Sequence, residues 1–267
     1  MIAIQNRPIT ANELKEFFSD AKDREIIDWM ANSHKVYRYE SLNELKFEIL
    51  FRRKTIEASL DLLKSKAQFA TFENSYCHDR FWQLSSKGAF LLKKDVTPAK
   101  GIEDIFINGN KYAFECATAI VIVFYKAALD SIGEKAFNYL FADLVLYDWH
   151  YDKDLGVRTT VTTDFVPGDC VYFNNPDFNP ETPQWRGVNA IHLGNNLYYG
   201  HGIGIRDAKG VIETLNRYRK RQAVESAYLK DQVTRPNYKY LSTYQNYIRE
   251  NKNKRISARI GQTFYTF

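Results

Sequence analysis

Asn108-Gly109-Asn110-Lys111-Tyr112-Ala113-Phe114-Glu115-Cys116 runs straight into Ala117-Thr118-Ala119-Ile120-Val121-Ile122-Val123-Phe124-Tyr125-Lys126-Ala127-Ala128-Leu129. Turn-forming residues at 108–111 give way to a run that is apolar nearly all round and too long for a strand. It reads as a buried helix whose first turn carries Cys116. That placement has a chemical consequence. The unpaired N–H groups and dipole of a helix N-terminus favour a thiolate, the nucleophilic form of cysteine. They can also hold an oxyanion forming on a carbonyl carbon. The competing reading makes Cys116 a small apolar filler at a helix–sheet contact.

Upstream of this run the pattern is helical. Residues 10–32 open with Thr10 as a candidate N-cap and Glu13 three residues on. Leu14, Phe17, Phe18, Ile26, Ile27, Trp29 and Met30 then keep helical spacing with one break. Residues 41–66 read as a second helix, capped by Ser41 with Glu44 completing the box. Its stripe is Leu42, Leu45, Phe47, Ile49, Leu50, Ile56, Leu60 and Leu63. Residues 67–110 are mixed, with a strand expected at 81–84 and a turn at Lys87-Gly88. Downstream, 131–141 reads as a short helix. From 144 to 206 the pattern turns to short Val/Tyr/Phe/Leu runs cut by Gly, Asn and Pro, which predicts strands. A helix is expected at 207–220, then a polar tail. Helices first and strands later make this an α+β fold.

Composition excludes much. With 267 residues the chain can bury a substantial core without staples, and 45% apolar with 26% charged residues is ordinary for a globular chain. No apolar run approaches a membrane span of about 18 residues. The start, MIAIQNRPITANELKEF, lacks the basic-then-apolar layout of a signal peptide, so the chain is expected to stay in the cell that makes it. Three cysteines, at 77, 116 and 170, form no disulfide framework and no metal-type spacing, so neither metal nor cofactor is expected. The net charge of +5 does not indicate nucleic acid. The basic runs 217–221 and 252–255 read as solvated faces. Aromatics, at 15%, suit a sticky partner surface or an aromatic-walled cleft.

A thiol nucleophile needs a base. Of five histidines, His201 stands out in Tyr198-Tyr199-Gly200-His201-Gly202-Ile203-Gly204, where glycines allow another backbone or a ligand close approach. His192, on the preceding run, reads as structural, and Cys77 and Cys170 read as packing residues. Gly194-Asn195-Asn196-Leu197 is a hairpin signal. With Asn195 and Asn196 as a two-residue loop, Gly194 pairs with Leu197 and His201 faces Ala190. Residues 188, 190, 192, 199, 201 and 203 would then share one face. A three-residue loop would place 188 and 201 on opposite faces.

Four segments carry a family resemblance: YAFECATAIVIVFYKA (112–127), LYDWHYDKD (146–154), GDCVYFNNPDFNP (168–180) and QWRGVNAIHLGNNLYYGHGIGI (184–205). Together they resemble the protein-glutamine gamma-glutamyltransferase of spore-forming bacilli, a spore-coat transglutaminase. The likeness is good over 67–235, looser over 1–66 and poor at the C-terminus. It implies a single catalytic domain, 1–267, with a helical N-terminal part (1–66), a core (67–235) and a polar tail (236–267). The core would be a compact papain-like α+β fold similar to the NlpC/P60 cysteine peptidases. The resemblance assigns Cys116 as nucleophile, with Glu115 and His201 as catalytic partners. It implies Gln–Lys isopeptide cross-linking of spore coat proteins, without metal, nucleic acid or membrane, by a protein made in the cytoplasm and located in the coat.

Where the family usually carries Glu between Gly187 and Asn189, this chain has Val188, which cannot exchange a proton. The base role then falls to Glu115 or His201, or the enzyme is weakened. Amine must also outcompete water at a thioester, which calls for a narrow apolar passage. Phe69, Trp149, Trp185 and Tyr198 are the proposed substrate-binding walls, with Tyr112, Phe114 and Tyr199 as further aromatic candidates. Two other readings remain on the same residues: a cysteine peptidase or glutamine amidase, and a catalytically impaired coat-assembly protein.

Overall fold

The computed structural model describes residues 1–245, 257–260 and 263–266. Two helices form the spine. Leu42–Ser65 is capped by Ser41, whose hydroxyl accepts from the Glu44 N–H at 3.2 Å. It packs along Cys116–Ile132, the apolar run, of which nearly every residue is buried. The expected helix at 10–32 is two pieces. Ala11–Lys15 carries the Thr10–Glu13 capping box, and Ala21–Ala31 starts afresh from the Asp20 cap. Pro98–Ile107 is a helix too, with Pro98 in its first turn, inside the segment whose sequence reads only as mixed. Trp82–Leu84 pairs with Phe90–Leu92 across the expected turn. Glu134–Leu140 and Ala208–Asn216 are the later helices.

The β half is one six-stranded sheet of antiparallel neighbours, in the order Gly204–Asp207, Leu197–Gly200, Gly187–Gly194, Cys170–Asn174, Tyr228–Arg235, Arg158–Val161. Alternation splits its side chains between two cores. Cys170, Ile191 and Tyr199 face the helical spine. Val171, Phe173, Val188, Ala190, Tyr198 and Val233 face away, under Val211 and Leu215 of the helix 208–216. The fold is therefore α+β, as expected. The strand 228–235 is a surprise, since Tyr-Leu-Lys-Asp-Gln-Val-Thr-Arg lacks a clean apolar alternation. A buried ion cluster explains why it docks. Asp169, fully buried, accepts from Arg52 of the long helix at 2.7 Å and from Arg235 of this strand at 2.6 Å. The two guanidiniums pull the Asp169 carboxyl down to about 2 against the cost of its burial. Gly168 makes room: at φ +88°, its missing Cβ would sit 2.9 Å from the Arg52 backbone.

The segment expected as a polar tail contains ordered structure. Tyr238–Ser242 is a short helix with Leu241 fully buried against the core. The basic run 252–255 lies outside the described residues.

Candidate active site

Phe114 ends a two-residue strand that pairs in parallel with Gln68–Phe69, and Glu115 follows as the N-cap of the helix Cys116–Ile132. Glu115 takes extended backbone angles, φ −78° and ψ 162°, which turn its carboxylate back over the first helical turn. One oxygen accepts from the Ala117 N–H at 2.7 Å, and the other lies 2.9 Å from Cys116 Sγ. Cap and thiol partner are thus the same carboxylate. On the far side of the sulfur stands Asn189, its side-chain amide nitrogen 3.9 Å away.

Burial, and then the adjacent Glu115 carboxylate, push the Cys116 thiol well above its ordinary range. This corrects the helix-dipole expectation of a favoured thiolate. The Ala117 N–H in the first turn is spent on Glu115, whose charge opposes ionisation of the sulfur. The geometry is that of a thiol donating to the Glu115 side chain. Cys77, pushed up to about 11 by burial, and the buried Cys170 are no more ionised.

The hairpin register decides which residues of 197–201 share a face with 188–192. Gly194 pairs with Leu197, as the two-residue loop requires, with Asn195 and Asn196 both at positive φ. A bulge at Leu193 then shifts the ladder: His192 pairs with Tyr198 and Ala190 with Gly200. The face expected to hold 188, 190 and 201 together is therefore broken. Val188 packs in the core beyond the sheet, and Asn189 looks toward Cys116. Val188 does not line the cleft, whereas its neighbours Gly187 and Asn189 do.

The ring nitrogens of His201 are turned to groups other than Cys116. Its Nε2 lies 3.0 Å from the Gln68 carbonyl and its Nδ1 3.3 Å from the Tyr199 hydroxyl. Its ring stacks on Phe114 at 4.8 Å. Burial lowers its pKa to about 4, so it is neutral near neutral pH. It clamps the strand pair that delivers Glu115. Gly202 completes the clamp, since a Cβ there would press on the Phe69 ring at 3.0 Å. His192 is buried between Trp29 and Tyr198, as a structural histidine should be.

Cys116 opens onto a cleft of ≈ 520 Å³. Trp149 lines it. Trp185 sits between the lining residues Gln184 and Arg186, stacked on Tyr218 at 4.0 Å and on Phe69 at 6.4 Å. Tyr198 is corrected: it packs on Phe173 in the second core, because the shifted register turns it away from the spine. Tyr112, Phe114 and Tyr199 are buried packing residues. Sequence reasoning missed Asn189, Tyr172 and the row Lys230, Gln232 and Thr234 on the cleft wall. Asn189 and Tyr172 carried a local signal, since both lie in family motifs within the expected strands, whereas Lys230, Gln232 and Thr234 carried none. Among the described residues no three His, Cys, Asp or Glu side chains are grouped to hold a metal, and no helix is long and apolar enough to cross a membrane.

A profile of the protein-glutamine gamma-glutamyltransferase family matches residues 1–245. The chain belongs to that family. It is 46% identical over 241 residues to the protein-glutamine gamma-glutamyltransferase of Bacillus pumilus, covering 90% of this chain and 98% of the relative. The Bacillus licheniformis enzyme of the same name is 44% identical over 235 residues, 88% of this chain and 96% of that one. Among solved structures, a transglutaminase from Geobacillus stearothermophilus, without its C-terminal extension, superposes with a TM-score of 0.74 at 54% identity. That match covers 76% of this chain and 98% of the other. The transglutaminase fold and acyltransferase class are those the sequence motifs imply, and the substrates of this class are proteins bearing Gln and Lys.

Proposed function

We propose that this transglutaminase works through Cys116 as nucleophile and Glu115 as its general base and acid. The observation that carries the assignment is the 2.9 Å contact between Cys116 Sγ and Glu115 Oε1 at the cleft. Glu115 removes the thiol proton as sulfur attacks the γ-carbonyl of a substrate glutamine. The same proton passes to the departing nitrogen, ammonia leaves, and a thioester remains. A lysine amine then attacks the thioester, giving its proton to Glu115, and the thiol is regenerated as the isopeptide bond forms. Proton transfer in step with the attack suits a buried site, because a free thiolate would be poorly solvated there. The Asn189 amide is placed to donate to the sulfur, or to the oxyanion beside it. His201 and Tyr199 act as positioning residues.

The proteins joined are those of the spore coat, where the enzyme resides, in line with its similarity to enzymes of Bacillus species. Incorporation of a fluorescent primary amine into a glutamine-bearing protein tests the assignment. Cys116→Ala is expected to abolish it with the fold intact, since Ala suits a helix start. Full activity in that variant would refute the assignment. Hydrolysis of glutamine with no capture of added amine would favour the peptidase-type reading instead.

A further inference from the structure

The cleft is divided by charge. Its sheet wall, built from Tyr172, Asn189, Gln232 and Thr234, carries Lys230, with Arg186 at the end of the strand that bears Asn189. Its other wall, the start of the thiol helix and the turn after Leu146, carries Glu115 and Asp148. Several lysines elsewhere are consumed in ion pairs: Lys22 with Glu25, Lys54 with Glu57, Lys126 with Asp130, Lys220 with Asp177. Lys230 and Arg186 are exposed, and among the described residues neither side chain makes an ion pair. Asp148 is held differently. It takes a left-handed φ of +47°, and its N–H donates to Thr118 Oγ1 of the thiol helix at 2.9 Å. A non-glycine residue kept in that region by a fixed partner points to a functional constraint.

We propose that this division sorts the two substrates. The glutamine donor lies along the sheet wall as an extended acidic segment, with a carboxylate meeting Lys230 or Arg186. The lysine ammonium approaches along the Glu115–Asp148 wall, repelled from the sheet side by the same two cations. The proposal rests on the reading of Cys116 as a transglutaminase nucleophile. The spacing agrees with it. The strand of Lys230 lies two strands from that of Asn189, about 10 Å at about 4.8 Å per strand. An extended peptide covers that distance in about three residues. The acidic residue is therefore expected within three positions of the reactive glutamine.

The test uses the whole chain, a saturating fluorescent amine, and peptides holding one glutamine flanked within three positions by Asp or Glu, by Ser, or by Lys. For each variant the readout is the ratio of kcat/KM between acidic and basic donors, which is insensitive to an overall loss of activity. The wild-type ratio is expected to favour acidic donors by about tenfold at low ionic strength, since each exposed pair is worth a few-fold. It should shrink toward one in high salt. Lys230→Met should lower the ratio, and Lys230→Glu combined with Arg186→Glu should invert it. A wild-type ratio near one, or a ratio unmoved by the double reversal, overturns the proposal. If the wild type incorporates amine into no donor at all, the transglutaminase reading of the site falls as well.

Discussion

Glu115→Gln should move two properties of one sulfur in opposite directions. Gln keeps the shape of the side chain and an oxygen that can accept from the Ala117 N–H, so the helix cap at 2.7 Å survives. It removes the basic oxygen now 2.9 Å from Sγ. A positioned base is worth about 10²–10⁴-fold, so kcat/KM for amine incorporation should fall by that factor, about 3–5 kcal/mol in the barrier. The same change removes the second of the two causes that hold the thiol pKa up, leaving burial. A carboxylate this close is worth about 1–3 pKa units. Nucleophilicity falls along with pKa, with a slope near 0.4–0.5, so only about half of the logarithmic gain in thiolate survives. Alkylation by iodoacetamide at fixed pH should therefore speed up by about 3–30-fold. The assay pairs initial rates of fluorescent amine incorporation with alkylation of Cys116 followed by peptide mass spectrometry. Transfer within a few-fold of wild type, or alkylation that slows, would refute Glu115 as the base.

Two further predictions concern stability. His201 is neutral when folded, with its pKa lowered to about 4, but titrates near 6.5 when unfolded, so the unfolded chain binds more protons between those values. Its contribution is complete above about pH 6.5 and is lost as pH falls toward 4, a drop of about 3 kcal/mol visible in urea midpoints. His201→Asn should flatten that window, and an unchanged pH profile would refute the burial argument. Asp169→Asn should destabilise the fold by about 3–5 kcal/mol in urea unfolding, because it leaves the fully buried Arg52 with Glu48 alone and takes from Arg235 its carboxylate partner. A cost below about 1 kcal/mol would show that the ion cluster does not hold the sheet to the helical spine.

How much of this was legible in the sequence differs from element to element. The run after Cys116 could be read because its burial is complete: no amphipathic stripe was needed to see a long apolar helix behind a turn. The caps at Thr10 and Ser41 were readable because capping is local chemistry between residues three apart. Glu115 beside Cys116 was visible as a pair. Its reach was not, because that depends on the ψ of 162° at the cap position. The strand 228–235 and the cleft residues Lys230, Gln232 and Thr234 were silent, since their partners, Arg158–Val161 and Cys170–Asn174, lie far back in the chain.

The hairpin at 194–197 shows most sharply where sequence stops. Its loop was correctly read from two asparagines that tolerate positive φ. A single bulged residue beyond it, Leu193, reverses the face of everything that follows. That bulge puts Tyr198 rather than Tyr199 on the face of Val188 and Ala190, in the second core, while Asn189 lies on the opposite face, toward the sulfur, and His201 is held between Gln68 and Tyr199. The placing of Glu115 and Cys116 at the start of a buried helix and the α+β class were legible in the sequence itself, through local chemistry and hydrophobic period, while the roles proposed for the two residues rest on the family resemblance. Which side chains stand around the thiol was decided only by tertiary structure, because strand faces alternate every residue and no local signal marks a one-residue slip.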